Sequence, residues 1–533
     1  MSIVSQRSAR VALATPQARL ARAPRVAIVG AGVGGLAAAV DLAANGIEVV
    51  VLERADAPGG KLREIEVAGA RIDAGPTVLT MRWVFDELFA AAGDALERHV
   101  RLDRLHILAR HAWSECERLD LFADRERTRD AIGAFAGAAE ARRFEEFARR
   151  AQHIYRTLEA PFMRAQRPSM ATLVGRMGWQ GFGDLLRIRP FETLWNALGH
   201  YFRDPRVRQL FARYSTYCGS SPFAAPATMM LIAHVEQEGV WAVSGGMPQI
   251  AVALAKVASA CGATLRFGSR VRDVTTAAGR VSGVTLSTGE HVAATAVVVN
   301  ADASAIGAGL LGASIAPAAN AVPRERRSLS AVTWNLCTPT RGFELVRHNV
   351  FFSRDYEAEF AQIFRQRALP TEPTVYVCAQ DRHDEAGAPS AESQRLFCLI
   401  NAPADGDLHD GNPGETEQCA ERTFKQLERC GLTICRTTAT TRVTTPADFN
   451  RLYPGTGGAL YGAATHGWQA SFRRPSARTE LPGLYLAGGS VHPGPGLPMA
   501  TLSGRLAAHC LMADLDLISR SRSVAICGGT SMR

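Results

Sequence analysis

The sequence predicts an α/β protein whose parallel sheet draws strands from both ends of the chain. Three stretches predict it. Residues 25–29 (RVAIV) and 47–52 (IEVVVL) are short continuous apolar runs, as expected of strands covered on both faces. Between them stands GAGVGG, then LAAAVDLAANG, whose helical periodicity from Leu36 to Ala44 stops at Asn45-Gly46. Far downstream, the apolar run 484–487 enters Gly488-Gly489, a Gly/Pro-rich loop holding His492, and an Ala-rich helix that begins after Pro498. A strand that feeds a glycine turn and a helix start presents free backbone N–H groups and a positive dipole end. Two such termini at opposite ends of the chain suggest one extended, partly anionic ligand gripped by both.

At 533 residues, 47% hydrophobic and 21% charged, the chain is a folded globular protein long enough for two or three domains. Its formal charge of +9 is carried almost wholly by arginine, with Lys61, Lys256 and Lys425 the only lysines. Base composition or attraction to anionic lipid headgroups accounts for that equally well. Nucleic-acid binding is not expected, because the arginines are dispersed and no recognition motif occurs. The 11 cysteines are scattered singly, without CxxC or metal-ligand spacing, and read as inert thiols in a reducing compartment. No apolar run reaches the ~18 residues a spanning helix needs. Residues 1–23 are Arg/Ser/Ala-rich, free of acids and without an apolar core segment; they read as a disordered tail.

The first strand, helix and second strand form a βαβ unit of about 30 residues. Gly30 permits the tight turn, Gly32 lets the backbone approach a pyrophosphate, and Gly35 lets the helix pack on the strand. Glu53 closes the second strand, where a carboxylate accepts from ribose hydroxyls. With strand, helix, second strand and acid all in place, the unit predicts a Rossmann-type dinucleotide site, NAD or FAD. PGGKLRE at 58–64 follows, either a flexible turn with cations near the phosphates or an ordinary hairpin turn between strands 65–67 and 70–72. From Met81 to about Gly239 the pattern reads as mostly helical. Within it, 161–202 interleaves aromatic and Met residues with arginine, which suits either plain core or a helix in a membrane interface. Short strands at 264–267, 270–274, 281–286 and 291–300 return to the first domain, the last ending in Asn300-Ala301-Asp302. A mixed β-rich portion spans about 328–449.

With both glycine-rich ends in view, the chain resembles the FAD-dependent phytoene desaturase family of carotenoid dehydrogenases over about 25–513. The signatures are GAGVGGLAAAVDLAANGIEVVVLE, PGGK, DAGPT at 73–77, GVWAVSGGM at 239–247, VVVNAD at 297–302 and LYLAGGSVHPGPGLPMATLSGR at 484–505. The last of these looks most like hydroxycarotenoid 3,4-desaturases. The resemblance implies an amine-oxidase-like FAD-binding domain (24–115, 240–310 and 475–515), a helical membrane-docking and substrate-entry part (116–239), a mixed-sheet substrate domain (311–474) and a tail (516–533). It puts the pyrophosphate at Gly30, Gly32 and Gly35, the ribose at Glu53, and Lys61 near the ribose-phosphate link. Val271 falls beside adenine, and Gly488, Gly489 and Met499 at the flavin and ribityl chain. It implies FAD rather than NAD, an acyclic carotenoid drawn from a membrane surface, and oxygen or a quinone as final acceptor. The expected reaction places a C=C in a 1-hydroxycarotenoid such as 1-hydroxyneurosporene. A carbon beside the polyene gives hydride to flavin N5 and its neighbour loses a proton; phytoene or neurosporene desaturation is the alternative. His492 is the candidate polar group beside the flavin ring, and Asp73 and Asp302 are expected to cap turns. An amine or protoporphyrinogen oxidase fits the final HPGPG loop less well, and a non-catalytic lipid carrier on the same fold would have a degraded flavin site, whereas both ends are intact here.

Overall fold

The computed structural model describes residues 24–166, 191–382, 393–408 and 413–527, with side chains of the last helix described to residue 516. Five parallel strands form the first sheet in the order Leu484–Leu486, Ala296–Val299, Arg25–Val29, Glu48–Leu52, Thr264–Arg266. The two ends of the chain are therefore separated by a single strand. Val26, Ala27, Ile28, Val297 and Val298 are fully buried because both faces are covered. Helices Val33–Ala44, Pro248–Ala260 and Leu497–Cys527 join the core on one side, and a three-stranded antiparallel sheet (Val271–Ala277, Arg280–Leu286, His291–Ala293) covers the other.

Small residues let the first and last of these helices cross backbone to backbone: a Cβ on Gly504 would sit 1.9 Å from Gly34 O. Asp41 of one and Arg505 of the other pair at 3.0 Å across the crossing, with Asp41 buried. Burial pushes the Asp41 carboxyl up and Arg505 pulls it back, so the pair fixes register more than it adds stability.

The second sheet has seven strands in the order Thr441–Thr444, Ser330–Thr338, Gln394–Ala402, Val375–Ala379, His348–Phe351, Ile107–Ala112, Arg118–Phe122. All neighbours are antiparallel except His348–Phe351 beside Ile107–Ala112. One face (Val332, Trp334, Phe351, Val377, Ile400) packs under helix Pro413–Arg429 through Phe424 and Leu427. The opposite face looks toward a helical region whose core stacks Phe144, Phe147, Phe202 and Phe211.

Two boundaries differ from the sequence expectation. The hairpin Ile107–Ala112 and Arg118–Phe122 lies across the 115/116 division and inside the stretch read as helical, yet it belongs to the second sheet. ILARHA and RLDLF carry good helix formers, and pairing with the distant His348–Phe351 overrides that local preference. The terminal helix continues past 515 to Cys527, since no Gly or Pro follows Gly504 until Gly528. The tail 1–23 and residues 167–190, most of the aromatic/Arg segment 161–202, lie outside the described residues. Among the described residues no helix is long and apolar enough to cross a membrane, and no His/Cys/Asp/Glu group could hold a metal.

Candidate functional site

The site forms at the carboxyl ends of the first sheet, where open parallel sheets bind ligands. Gly30 takes φ +97° and donates to Leu52 O at 2.8 Å, which bends the chain from strand to helix. Gly32 precedes helix Val33–Ala44, and no side chain caps that helix. Its first-turn N–H groups are left for a ligand, and the helix dipole makes that ligand anionic. Glu53 Oε2 accepts from Ala31 N–H (2.7 Å) and Oε1 from Ala55 N–H (2.9 Å). A carboxylate has about four acceptor positions, so the buried Glu53 holds the glycine turn and keeps capacity for ribose hydroxyls. Ser269 N–H donates to Glu53 O, and Val271 opens the next strand, buried in the same apolar cluster as Val50 and Leu52. Val271 and Glu53 therefore share the same end of the cleft.

The PGGK turn lies on the glycine loop: Gly59 N–H donates to Ala31 O (2.9 Å), and a Cβ on Gly60 would be 3.3 Å from Gly32 Cα. The expected hairpin strands pair just beyond, Glu64–Val67 with Ala70–Asp73, but they turn at Ala68-Gly69, so the PGGK stretch is not the hairpin's turn. Lys61 points inward. Its Nζ donates to Leu460 O at 2.5 Å and lies 5.3 Å from the Tyr453 ring centroid. Burial lowers its pKa, and Asp302 nearby partly restores it. Asp302 caps the short helix Ala303–Gly307 through Ser304 N–H, and Asp73 Oδ2 accepts from Met247 N–H.

The last segment meets the first at Asn300. This residue follows strand Ala296–Val299, and its Nδ2 reaches toward Gly30 O at 3.4 Å. A Cβ on Gly32 would meet Asn300 Nδ2 at 2.6 Å, and Cβ atoms on Gly34 or Gly488 would each meet Asn300 Oδ1 at 2.9 Å. A Cβ on Gly34 would also lie 3.1 Å from Gly488 N, so the two glycine turns are in contact. Gly488 itself takes φ +115° and donates to Ser503 Oγ. Gly489 is roomier, the nearest atom to an added Cβ being Pro495 Cα at 3.6 Å. Met499 stands in the first turn of the terminal helix, partly buried.

His492 is 2% exposed. Its ring sits edge-on to Phe162 at 5.0 Å, and Nε2 is 3.0 Å from Phe162 O. A carbonyl partner requires the proton on Nε2, leaving Nδ1 as acceptor. Burial pushes its pKa down to about 4, so the ring is neutral at physiological pH. It fastens the flavin-type loop to the segment Glu159–Met163.

Sequence reasoning missed two residues here. Asn300 stood in the quoted VVVNAD, and a polar residue at the carboxyl end of a buried parallel strand was its signal. Arg474 gave no signal. It is 9% exposed and hydrogen-bonds to neutral groups: Tyr461 O (3.1 Å), Ala463 O (3.0 Å), Thr465 Oγ1 (3.4 Å) and Gly489 O (3.4 Å). A buried guanidinium against Gly489 complements an anionic or carbonyl-rich ring edge.

These residues fit a flavin dinucleotide: an uncapped helix start for the pyrophosphate, an acid at the ribose end, and a second glycine loop with a buried cation for the ring. A nicotinamide dinucleotide would leave that second loop unused. Bound FAD would supply the two-electron chemistry, while the chain supplies grip, alignment and a dry enclosure.

Comparison with known proteins agrees. The family model for flavin containing amine oxidoreductases matches residues 33–512. A hydroxyneurosporene desaturase of Rubrivivax gelatinosus is 54% identical over 96% of this chain and 98% of its own length. One from Rhodobacter capsulatus is 44% identical over 92% and 98%. A 4,4'-diapolycopene oxygenase of a Methylomonas species is 30% identical over 92% and 99%. Among solved structures, a putrescine oxidase variant superposes with a TM-score of 0.57 at 15% identity, covering 92% of this chain and 99% of its own. An oxidoreductase of Methanosarcina mazei gives 0.57 at 16%, covering 90% and 99%; both likenesses concern the fold. The chain belongs to the flavin containing amine oxidoreductase family and, within it, to the FAD-dependent carotenoid desaturases.

Proposed function

We propose that this enzyme desaturates a hydroxylated acyclic carotenoid of the 1-hydroxyneurosporene type, forming the double bond at carbons 3 and 4. The observation that carries the reading is the contact between the Gly34 and Gly488 turns through Asn300, which makes one FAD site from both ends of the chain. Identity to hydroxyneurosporene desaturases along nearly the full length supports the substrate class. The chain's own task is alignment. The reacting carbon must lie within about 3–3.5 Å of its acceptor, with water excluded. The proton-accepting group is proposed to be His492 Nδ1, either directly or through water.

The substrate is as apolar as a lipid tail, so we place the enzyme on a membrane surface, cytoplasmic and peripheral, with oxygen or a quinone as final electron acceptor. Phe191 supports this: it borders residues 167–190, is 65% exposed, and stacks edge-on with Trp468 at 5.1 Å. Incubating the FAD-loaded enzyme with 1-hydroxyneurosporene, neurosporene and phytoene, each in liposomes, tests the assignment through the red shift of the carotenoid bands. Conversion of the hydroxylated substrate supports it. Conversion of phytoene alone would replace it with an earlier desaturation.

A further inference from the structure

The face of the second sheet turned toward the helical region is not the apolar face its burial leads one to expect. Val350 pairs with both His111 and Tyr376, Tyr376 with Leu399, and Leu399 with Thr333. Residues in register share a face, and His348, two before Val350, lies on it too. His111, His348, Tyr376 and Thr333 thus form a polar row across a buried sheet. His111, His348 and Thr333 are at most 2% exposed, yet His111 Nε2, His348 Nε2 and Thr333 Oγ1 have no hydrogen-bond partner. Arg213, which acts electrostatically on both histidines, is 8% exposed. Its guanidinium pairs with Glu236 at 3.7 Å and lies over the rings of Tyr214 and Tyr217, while Nε has no hydrogen-bond partner. Buried polar atoms are nearly always paired, so several orphans on one sheet face, with Arg213 close enough to act on both histidines, point to a ligand.

The row connects to the FAD cleft at two places. His348 Nδ1 and Thr77 Oγ1 each lie 2.7 Å from Tyr376 OH, and Thr77 is two residues past Gly75, which packs against Lys61. On the other side, Gly219 ends the turn Arg213–Cys218 and packs on Tyr461, whose carbonyl holds Arg474. Along these two connections Tyr217, Cys218, Tyr376 and Tyr461 each keep part of their surface accessible.

We propose that His348 Nε2 and the Arg213 guanidinium hold the hydroxyl of the carotenoid end group, making this polar row the element that selects hydroxylated over plain polyenes. The inference rests on the proposed function, in which the hydroxyl-bearing carbon is two positions from the bond oxidised and so enters the enzyme beside the flavin. A plain polyene offers nothing to these buried groups. A site built to hydrogen-bond a hydroxyl discriminates strongly against the analogue lacking it. Neutral His348 is a suitable partner, because Tyr376 fixes Nδ1 and an alcohol can donate to or accept from Nε2 in either tautomer.

The test uses the FAD-loaded full chain in liposomes, measuring kcat/KM for 1-hydroxyneurosporene and the inhibition constant of neurosporene. In His348→Leu, kcat/KM for the hydroxylated substrate is expected to fall about 10- to 100-fold, with neurosporene inhibition within about twofold of wild type and the flavin spectrum retained. His348→Gln, which returns a polar atom near Nε2, is expected to recover most of the loss. Tyr376→Phe, at a half-buried position, should lower the hydroxyl preference by about 3- to 10-fold. A leucine variant that keeps the wild-type preference, or weakens both carotenoids equally, overturns the inference while leaving the desaturase reading intact. Should His348→Leu fail to retain flavin, an unchanged preference in Tyr376→Phe overturns it. Wild-type enzyme that converts no hydroxylated carotenoid overturns the function itself.

Discussion

Gly489→Ala separates damage to the protein from damage to the ligand site. An added Cβ would have Pro495 Cα at 3.6 Å as its nearest neighbour, an ordinary van der Waals distance, and Gly489 has no left-handed backbone requirement. The flavin-free protein should therefore change by no more than about 0.5 kcal/mol in urea unfolding. If the isoalloxazine lies against this loop, the methyl group takes space the ring needs. Overpacking of about 1–3 kcal/mol corresponds to roughly 5- to 150-fold weaker FAD. Gly34→Ala is the counterpart. Its Cβ would meet Ala500 O and Asn300 Oδ1 at 2.9 Å and Gly488 N at 3.1 Å, three groups that cannot all give way. It should cost about 2–3 kcal/mol of stability as well as FAD affinity. FAD titration of apoprotein by flavin fluorescence, beside urea unfolding of the same samples, reads both. A Gly489→Ala protein that binds FAD within about twofold of wild type would refute the placement of the ring.

His492→Ala should lower turnover while FAD stays bound, and rapid-mixing assays should show no activity titration from this residue between pH 5 and 9, because its pKa lies at about 4; undiminished turnover would dismiss its catalytic part. His466 makes the fold acid-sensitive. Its Nε2 accepts from Ser221 N–H and burial lowers its pKa to about 4, so the unfolded chain binds a proton between pH 6.5 and 4 that the native chain does not. Stability from this residue is present above pH 6.5 and lost as pH falls through 4, by up to about 3 kcal/mol. Glu359, raised by burial to about 7, acts in the opposite sense between its unfolded value and pH 7. His466→Gln should flatten the acid limb of a stability–pH curve, and an unchanged curve would exclude the residue. Arg505→Gln leaves Asp41 buried without its partner and should destabilise by about 3 kcal/mol; restoration in the double variant with Asp41→Asn, measured by urea unfolding, checks it.

Much of the cofactor site was legible because local chemistry dictates it. Strand runs, the glycine turn, Glu53 and the uncapped start of helix Val33–Ala44 all follow from contiguous residues, and both glycine ends carried the expectation of a shared ligand. Asn300 was within reach, since a strand end in a parallel sheet is where ligands sit. The polar row of His111, His348, Tyr376 and Thr333 was not, because its existence depends on the register of five strands, from Ile107–Ala112 to Gln394–Ala402. Arg474 was hidden for a related reason: its carbonyl partners come from loops that only tertiary packing brings together. The hairpin at 107–122 shows the same limit in the fold, where a partner strand over two hundred residues away decides a segment whose own residues favour helix.

The most direct test of the central claim is an anaerobic single turnover. FAD-loaded enzyme is mixed with liposomes carrying 1-hydroxyneurosporene while flavin and carotenoid absorbance are followed together. One flavin should bleach for each carotenoid that shifts to the red, on a single time course. A carotenoid that shifts while the flavin stays oxidised, or a flavin-loaded enzyme that leaves the substrate unchanged, would contradict the account.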